Sequence, residues 1–528
     1  MMRQTSSVLA LVLMAALSTA GAAAAAASAP NPFESPTAPS PQGQIDTLVL
    51  ARLHKLKLEP ARVCSDAVFV RRAYLDVIGT LPTGLQVREF LSDRRPDKRR
   101  ALIDRLLARE EFADYWAMKW SDLLRVKAEF PINLWPNAAQ AYHRWIRTSI
   151  KENKPYDQFV REMLTASGSN FRVGPVNFYR ALQNKEPPGI AQAVALTFLG
   201  TRADKWPTNQ LAGLAAFFSQ VGYKSTGEWK EEVVFFDSGK ATNDLWRAAR
   251  FPDGPRVKLA PDRDPREVFA DWLVDPKNPW FTRNIVNRVW SWLLGRGIIH
   301  EPDDIRPNNP PSNPELLAWL EKELITANYN LKHLYRLILN SSTYQLASVA
   351  PNQSPEAVAN FASYPLRRLE AEVLIDALNE ITGTTEKYTS PIPEPFTFMP
   401  EDQRSIALPD GSITSPFLEM FGRPPRDTGL ESERNNRPTA AQRLHLLNSS
   451  YIQRKIEQSR MVQFQTQGNK PLREITTGMY LGILSRFPTD AEVKAVEAYF
   501  QSGSVSRREA VVDLAWALIN SAEFLYRH

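Results

Sequence analysis

Ten charged or amide side chains fall into two clusters whose residue types suit ligand binding or acid–base chemistry. The first cluster lies at and beyond the end of a predicted helix and comprises Arg288, Asp303, Asp304, Arg306, Asn308 and Asn309. The second lies in a proline-rich stretch and comprises Arg423, Arg426, Glu433 and Arg434. Paired carboxylates can serve as general acid and base, and arginine forks suit sulfate, phosphate and carboxylate groups. Both clusters therefore predict a ligand-binding site, with catalysis as the alternative.

The carboxylates Asp303 and Asp304 leave several roles open. Together with nearby carbonyl groups and asparagine side chains they could coordinate calcium, which prefers oxygen ligands. They could also act as an acid–base pair, or form ion pairs with Arg306. We favour a structural role, in which they cap helix ends and accept backbone N–H groups, because Asx-rich loops commonly do this. The arginines of the second cluster pose the same choice between anion binding and ion pairing.

Two amphipathic helices must position the first cluster. An apolar face with helical spacing runs through Trp290 to Leu294, and another opens at Leu316. Asn313 followed by Pro314 predicts an N-cap with proline at the first helical position. A long polar loop held between apolar helices is a common place for a binding site.

Residues 74–87 and 480–493 align without gaps as YLDVIGTLPTGLQV and YLGILSRFPTDAEV. In each, a threonine heads a capping box, Thr83 with Gln86 and Thr489 with Glu492. Both stretches are predicted to form a helix, a tight turn and a capped helix. Duplication would explain the similarity, but we favour a shared hairpin solution, since such turns have few good sequences.

Helical periodicity along most of the chain predicts a mainly α fold with two packed helical domains. We place the N-terminal helical domain at residues 44–221 and the C-terminal helical domain at residues 265–528. Residues 222–264 between them are expected to be a short β or irregular segment, in which only Glu232–Phe236 is typical of a strand. In the second domain, residues 383–437 form a long proline-rich loop, either a functional lid or a surface wrap.

Residues 1–29 have the pattern of a secretory signal peptide. Arg3 supplies a positive charge, residues 8–17 an apolar run and residues 20–29 a series of small side chains. The apolar run is too short to span a bilayer, and no later transmembrane candidate follows. Residues 30–43 form a Pro/Ser-rich spacer that we expect to stay extended and unpacked. The mature protein is therefore expected to be exported, to the periplasm or to the extracellular space and cell surface.

Common catalytic signatures are absent from the sequence. There is no Gly-x-Ser-x-Gly, His-Glu-x-x-His, P-loop or dinucleotide-binding motif. The six histidines do not lie at metal-ligand spacing, so no metal site and no cofactor are expected. Cys64, the single cysteine, excludes an internal disulfide and is expected to be buried. A net charge of +6 without a basic tract argues against nucleic acid but permits an acidic partner.

Several longer motifs resemble those of planctomycete-type exported proteins that carry two paired domains of unknown function. These are a cytochrome c-associated N-terminal domain and a C-terminal partner domain. The motifs are RRAYLDVIGTLPT, DRLLAREEFADYWAMKWSDLLR, NRVWSWLLGRGI, DDIRPNNPPSNPELLAWL, FGRPPRDT with ESER, LHLLNS and WALINSAEFLYRH. The resemblance covers nearly the whole mature chain. Because neither domain has an established activity, it implies a family rather than a reaction.

Two thiol motifs of that family are missing from this chain. Family members commonly carry Cys-x-x-Cys-His after the helix that ends here in FLGTRADKWP, and Cys-Glu-Cys-Glu-Arg after FGRPPR. Here residues 200–207 contain neither cysteine nor histidine, and residues 430–434 read Leu-Glu-Ser-Glu-Arg. We infer that the two motifs meet in the family as one metal, haem or disulfide unit, which this chain lacks. Haem-dependent electron transfer is therefore disfavoured.

Two functions follow from the residues and the resemblance. The one we favour is a helical binding or assembly platform for an anionic polysaccharide or another exported protein. The alternative is a polysaccharide-active hydrolase or lyase with Asp303, Asp304 or Glu433 as acid–base carboxylates. A cleft with two carboxylates at a catalytic separation would favour the enzyme. The same residues in arginine ion pairs and helix caps would favour the platform.

Overall fold

A computed structural model describes residues 31–242, 248–260, 262–468, 470–503 and 505–528. The predicted signal peptide, residues 1–29, lies outside these ranges. The described chain is mainly α-helical with small sheets and two packed helical segments, which confirms the predicted fold class.

Ten helices form the first segment. They are α1 Gln44–Lys55, α2 Asp66–Ile78, α3 Gly84–Ser92, α4 Lys98–Leu107, α5 Glu110–Leu123, α6 Pro136–Lys151, α7 Tyr156–Thr165, α8 Asn177–Arg180, α9 Pro187–Val194 and α10 Thr208–Ala215. A π-helical turn, Ala195–Leu199, continues α9, and short 3-10 turns occupy Gly174–Val176, Ala203–Lys205 and Ala216–Phe218.

A small antiparallel sheet follows. Its strands β1 Gly168–Ser169, β2 Val221–Ser225 and β3 Glu232–Phe236 lie in the order β1-β3-β2. Val221 pairs with Phe236 and Gly168 with Val234, so β3 is the central strand. The predicted strand Glu232–Phe236 is confirmed. Its partner β2 is not predicted from the sequence, because the strand pattern there is too weak.

The second segment contains the remaining helices of the described chain. They are α11 Pro265–Leu273, α12 Pro279–Leu294, α13 Pro314–Thr326, α14 Leu331–Asn340, α15 Pro355–Ala359, α16 Ala371–Thr382, α17 Pro416–Met420, α18 Ala440–Asn448, α19 Ser450–Glu457, α20 Arg460–Thr466, α21 Leu472–Ile483, α22 Asp490–Gln501, α23 Arg507–Ile519 and α24 Ala522–Leu525. Strands β4 Arg367–Arg368 and β5 Tyr526–Arg527 pair antiparallel and bring the end of the chain beside α16.

Local capping explains where several helices begin and end. The Asn313 side chain accepts a hydrogen bond from the Leu316 amide, which confirms the predicted start of α13. Helix α2 ends at Gly79, whose φ of 62° is left-handed. The Tyr115 ring lies 2.5 Å from where a Cβ on Gly79 would be, so the close approach of α5 also requires glycine there.

Both predicted hairpins are present with complete capping boxes. Thr83 and Gln86 bond reciprocally at the start of α3, and Thr489 and Glu492 do so at the start of α22. The two hairpins also touch, because the Cα of Gly84 faces Leu481 of α21. Arg71 of α2 strengthens this contact by donating to the carbonyl of Ile483 at 2.8 Å.

The Pro/Ser-rich stretch is packed, so the expectation of an unpacked spacer was wrong for its described part. Ser35 donates its amide to the Val63 carbonyl at 2.8 Å, and Ser65 donates its hydroxyl to the Pro32 carbonyl at 2.7 Å. The Phe33 ring meets the His528 ring edge to face. An apolar ring and a row of backbone hydrogen bonds hold this segment to the surface despite its proline content.

One apolar core runs through both segments. Trp116 and Trp120 of α5 contact Trp292 of α12, with ring centroids 5.4 and 5.9 Å apart. Tyr335 of α14 also packs on Trp116, with centroids 4.4 Å apart. Large aromatic side chains bury much apolar area, so this cluster makes the two segments depend on each other.

Candidate functional site

The loop after α12 is fixed by a buried ion pair. Asp303, which is 1% exposed, accepts from Arg288 of α12 at 2.8 Å. Its second carboxylate oxygen accepts the backbone amide of Glu431 at 2.7 Å. Trp292 of α12 donates its indole N–H to the Glu431 carboxylate at 3.1 Å. Asp303 thus joins α12 to the long loop of residues 383–437.

The outer part of the same loop reaches solvent. Asp304 and Arg306 form an ion pair of 3.1 Å, and half of the Arg306 side chain is exposed. Asn308 is exposed, whereas Asn309 donates its amide to the carbonyls of His300 and Asp304 at 2.9 Å each. Asp304, Arg306 and Asn308 are therefore the members of the first cluster that a ligand could reach without unfolding.

The arginines of the second cluster are buried and already bind carboxylates. Arg434 makes ion pairs of 2.7 Å with both Asp122 of α5 and Glu372 of α16. Arg426, fully buried, also binds Asp122 at 2.9 Å, and Arg423 lies 3.5 Å from Glu372. A guanidinium group engaged in this way cannot bind an external anion without breaking a buried pair.

Glu433 also forms hydrogen bonds that stabilise the loop. Its carboxylate accepts the backbone amide of Asp427 at 2.8 Å and the hydroxyl of Thr428 at 3.0 Å. These bonds close a turn of the long loop, as side chains in irregular segments commonly do.

The ion pairs extend to the end of the chain. Glu370 binds Lys119 of α5 at 2.7 Å and Arg527 of β5 at 2.5 Å. Arg527 also binds Asp76 of α2 at 3.0 Å. We call this set the buried ion-pair network; its members are Asp76, Lys119, Asp122, Arg288, Asp303, Glu370, Glu372, Arg423, Arg426, Arg434 and Arg527.

The network keeps two of its carboxylates, Glu370 and Glu372, ionised. Burial disfavours the charged form of Glu372, but Arg434 and Arg423 outweigh it and lower its pKa to about 2. For Glu370, burial is likewise outweighed by Arg527 and Lys119, which hold its pKa well below the usual range. Neither carboxylate is suited to proton transfer near neutral pH.

A different part of the surface forms a polar cleft of about 350 Å³. The turn before α3, the start of α5, the end of α16 and residues 402–404 of the long loop line it. The lining is polar except for Leu81 and comprises Thr80, Thr83, Gln86, Arg109, Glu111, Asp376, Asn379, Glu380, Thr384, Thr385, Asp402, Gln403 and Arg404. Its volume is within the range of small-molecule sites.

Two carboxylates on one face of α16 belong to this cleft. Asp376 accepts the backbone amides of Ser405 at 2.8 Å and Ile406 at 3.1 Å, yet its burial outweighs these bonds and raises its pKa to about 6. Glu380, one turn later, is exposed to the cleft and accepts from the Thr80 hydroxyl at 3.1 Å. The protein walls around it desolvate the carboxylate and raise its pKa.

Sequence reasoning missed the cleft. The available signal was local: two acidic residues at i and i+4, Asp376 and Glu380, on a predicted apolar helix. Their partners Arg109 and Thr80 lie far away in the chain, and Arg404 lies in the irregular loop. No spacing rule brings those residues together, so only the packing of the two segments reveals the cleft.

The two segments in which the resemblance implies missing thiol motifs both contact one loop. Gly200 accepts the amide of Ile305 at 2.9 Å, and Arg202 pairs with Glu301 at 3.2 Å. Asp303, between these two, binds the Glu431 amide. The segments near residues 200 and 431 therefore contact the same short stretch, residues 301–305.

Neither a metal-type cluster nor a membrane-spanning helix is present among the described residues. In the part of the chain that the structure describes, no three His, Cys, Asp or Glu side chains converge as a metal site. Within the same ranges, no helix combines the length and the apolar character needed to cross a bilayer. Cys64 is buried, as predicted.

Two family models match the sequence. Residues 44–222 match PSCyt2, described as a protein of unknown function (DUF1549), and residues 265–500 match PSD1, described as a protein of unknown function (DUF1553). Neither the curated proteins nor the solved structures contain a significant match. Both matched segments contribute walls to the polar cleft and members to the buried ion-pair network.

Proposed function

We propose that this chain, which carries the paired PSCyt2 and PSD1 domains of unknown function, is an exported binding platform. Its ligand site is the polar cleft between the two domains. The observation that carries this proposal is the cleft's lining, in which side chains of both domains present hydroxyl, amide, carboxylate and guanidinium groups to one space of about 350 Å³. The ligand class that fits is a hydroxyl-rich glycan segment.

The charge of the cleft argues for a ligand without net negative charge. Four carboxylates line it, Glu111, Asp376, Glu380 and Asp402, against two arginines. Arg109 is paired with Glu111, and Arg404 lies 3.7 Å from Asp376. The expectation of an anionic glycan depended on arginines that the buried ion-pair network occupies. A neutral or amino-sugar glycan is therefore the better candidate.

The test is a thermal-shift and calorimetric screen of neutral, amino-sugar, uronic and sulfated oligosaccharides. A ligand at about 100 times its Kd should stabilise the protein by about 2.7 kcal/mol. Glu380→Leu should abolish the shift, because it removes an exposed hydrogen-bonding carboxylate from the cleft. A parallel Asp304→Ala, Arg306→Ala variant should bind normally. The assignment of the cleft as the ligand site would be rejected if no glycan gave a shift, or if the shift were lost only in the Asp304→Ala, Arg306→Ala variant.

A second candidate function is glycan hydrolysis in the same cleft. The raised pKa values of Asp376 and Glu380 favour it, because a carboxyl group that holds its proton nearer neutral pH can act as a general acid. Glu380→Gln separates the two functions. It keeps hydrogen bonding and should preserve binding, whereas it should abolish any product release seen by chromatography with the unmodified protein.

A further inference from the structure

A second and larger cavity, of about 850 Å³, lies elsewhere on the protein, lined mainly by the second segment with Phe33 and Val68 from the first part of the chain. It shares no lining residue with the polar cleft. Its inner wall is apolar and includes Leu374, Phe421, Leu446, Leu484 and Leu518, each buried below 5% exposure. A cavity of this size and lining is typical of sites that enclose an apolar ligand.

The mouth of this apolar cavity is also apolar. Leu366 is 62% exposed, Val349 53% and Leu447 37%. Large aliphatic side chains that remain in water around a cavity mark a route for an apolar ligand. If the cavity were only a packing void, we would expect these side chains to fill it, because protein cores pack densely.

One charged group in the wall has a hydrogen-bonding atom without a partner. Arg368 of β4 is only 6% exposed and lines the cavity. Its Nε donates to the Asn436 carbonyl at 3.0 Å and one terminal nitrogen to the Phe421 carbonyl at 2.6 Å. Its other terminal nitrogen, Nη1, has no partner among the described residues. Leaving a buried cationic N–H unbonded is costly, so an acceptor that reached Nη1 would be stabilised there.

Of the other arginines in the lining, Arg443 is exposed to solvent, whereas Arg486 is neutralised. Arg486 binds both Glu492, at 2.8 Å, and Glu523, at 2.6 Å. Arg368 makes no ion pair with a carboxylate within the described part of the chain, and the Ser348 hydroxyl of the same lining also has no partner. The cavity thus combines a long apolar wall with one buried guanidinium group that has no carboxylate partner within the described residues.

We propose that this cavity binds a single-chain amphiphile with an anionic carboxylate head. The alkyl chain lies against the leucines and Phe421, and the carboxylate accepts from Arg368 Nη1. Guanidinium groups favour carboxylates because both are planar and the pair forms charge-assisted hydrogen bonds. A hydrocarbon without a head group would leave Nη1 unbonded, and a cationic head would be repelled.

The experiment is calorimetric titration of the purified protein with dodecanoate, dodecanol and dodecyltrimethylammonium below their micelle concentrations. Dodecanoate should bind with one molecule per chain, dodecanol about tenfold more weakly, and the cation not measurably. Arg368→Gln should weaken dodecanoate about tenfold and leave dodecanol unchanged. Leu484→Trp, which fills the cavity, should abolish binding of both.

Arg473→Gln is the control, since Arg473 is an exposed arginine outside the lining. It should bind all three probes as the unmodified protein does. Equal dodecanoate affinity in Arg368→Gln, or preference for the cation, would overturn the head-group assignment. Absence of dodecanoate binding, or a stable dimer that occludes the cavity, would overturn the site. Should Arg368→Gln fail to fold, the head-group series and Leu484→Trp still decide the question.

Discussion

Arg434 joins two helices that lie far apart in the chain. It binds Asp122 of α5 and Glu372 of α16, and its separation from Asp122 is 312 residues. Each of these groups would be costly to bury alone, because removal from water disfavours an isolated charge. At the residue scale, the fold therefore depends on complete pairs, and removing one partner leaves an uncompensated buried charge.

The first residue-scale prediction is that Arg434→Met destabilises the protein by roughly 3–5 kcal/mol. Methionine fills similar space but leaves Asp122 and Glu372 without their shared cation. Urea unfolding followed by circular dichroism measures the change. The matched control is Arg336→Met, which removes an exposed pair with Asp104 and should change stability little. Similar losses in both variants would contradict the burial argument.

A pH dependence follows from the same carboxylates. The pKa of Glu372 is about 2 in the folded protein and near 4.5 when unfolded, and the pKa of Glu370 is also lowered. A carboxylate with a depressed folded pKa stabilises the fold above its unfolded pKa, and this stability is lost as pH falls from about 4.5 toward 2. Asp376 acts in the opposite direction, because burial raises its pKa to about 6. Its contribution to stability is present at low pH and is lost as pH rises to about 6.

Urea titrations at several pH values between 3 and 7 test this prediction. The unmodified protein should lose stability steeply below pH 4.5. Glu372→Gln should be less stable at pH 7 and should show a shallower loss in acid, since one of the titrating groups is gone. An unchanged acid slope in Glu372→Gln would show that the network does not hold this carboxylate ionised.

At the element scale, the two hairpins are built by local chemistry. In both, a helix ends in a tight turn and the next helix starts at a threonine whose hydroxyl accepts an amide N–H. The reciprocal Gln86 and Glu492 side chains satisfy the threonine amides. These contacts lie within four residues and were predictable from spacing alone.

Removing either cap should therefore cost about 1 kcal/mol. Thr83→Ala and Thr489→Ala each leave an amide of the first turn unsatisfied, whereas Thr83→Ser keeps the acceptor and should be nearly neutral. Chemical unfolding of the three variants provides the measurement. A loss in Thr83→Ser as large as in Thr83→Ala would assign the effect to the methyl group's packing instead of the cap.

At the scale of the whole molecule, the two family domains share a core and an ion-pair network. The first domain contributes Asp76, Lys119 and Asp122. The partners of Lys119 and Asp122, Glu370 and Arg434, lie in the second domain, and the partner of Asp76, Arg527, follows it in the chain. The polar cleft also takes its walls from both. Because these groups are paired across the two segments, we expect the pair to behave as one folding unit.

We expect calorimetry to show a single cooperative unfolding transition for the protein. The separately produced segments 31–264 and 265–528 should each show weak near-ultraviolet dichroism and bind hydrophobic dyes, because each exposes half of the shared core. Two independent transitions in the intact protein, or two well-folded fragments, would show instead that the interface is dispensable.

The sequence alone determined the helical class, the hairpins, the start of α13, the strand Glu232–Phe236 and the family. The four structural features depend on patterns among neighbouring residues, namely apolar periodicity, capping boxes and proline or glycine positions, whereas the family follows from longer sequence motifs. The same residues also named a set of candidate ligand groups. Residue type and spacing could not tell which of them face solvent, because an arginine in a buried pair and one at a binding site look alike in sequence.

Tertiary structure decided the rest. It buried Arg288, Arg423, Arg426 and Arg434 against carboxylates, left Asp304, Arg306 and Asn308 at the surface, and placed Asp376 and Glu380 in a cleft that spacing did not indicate. It also packed Phe33 and its neighbours onto the core. Each outcome depends on pairs separated by tens to hundreds of residues, and burial in such pairs is a property of the assembled fold rather than of any local stretch.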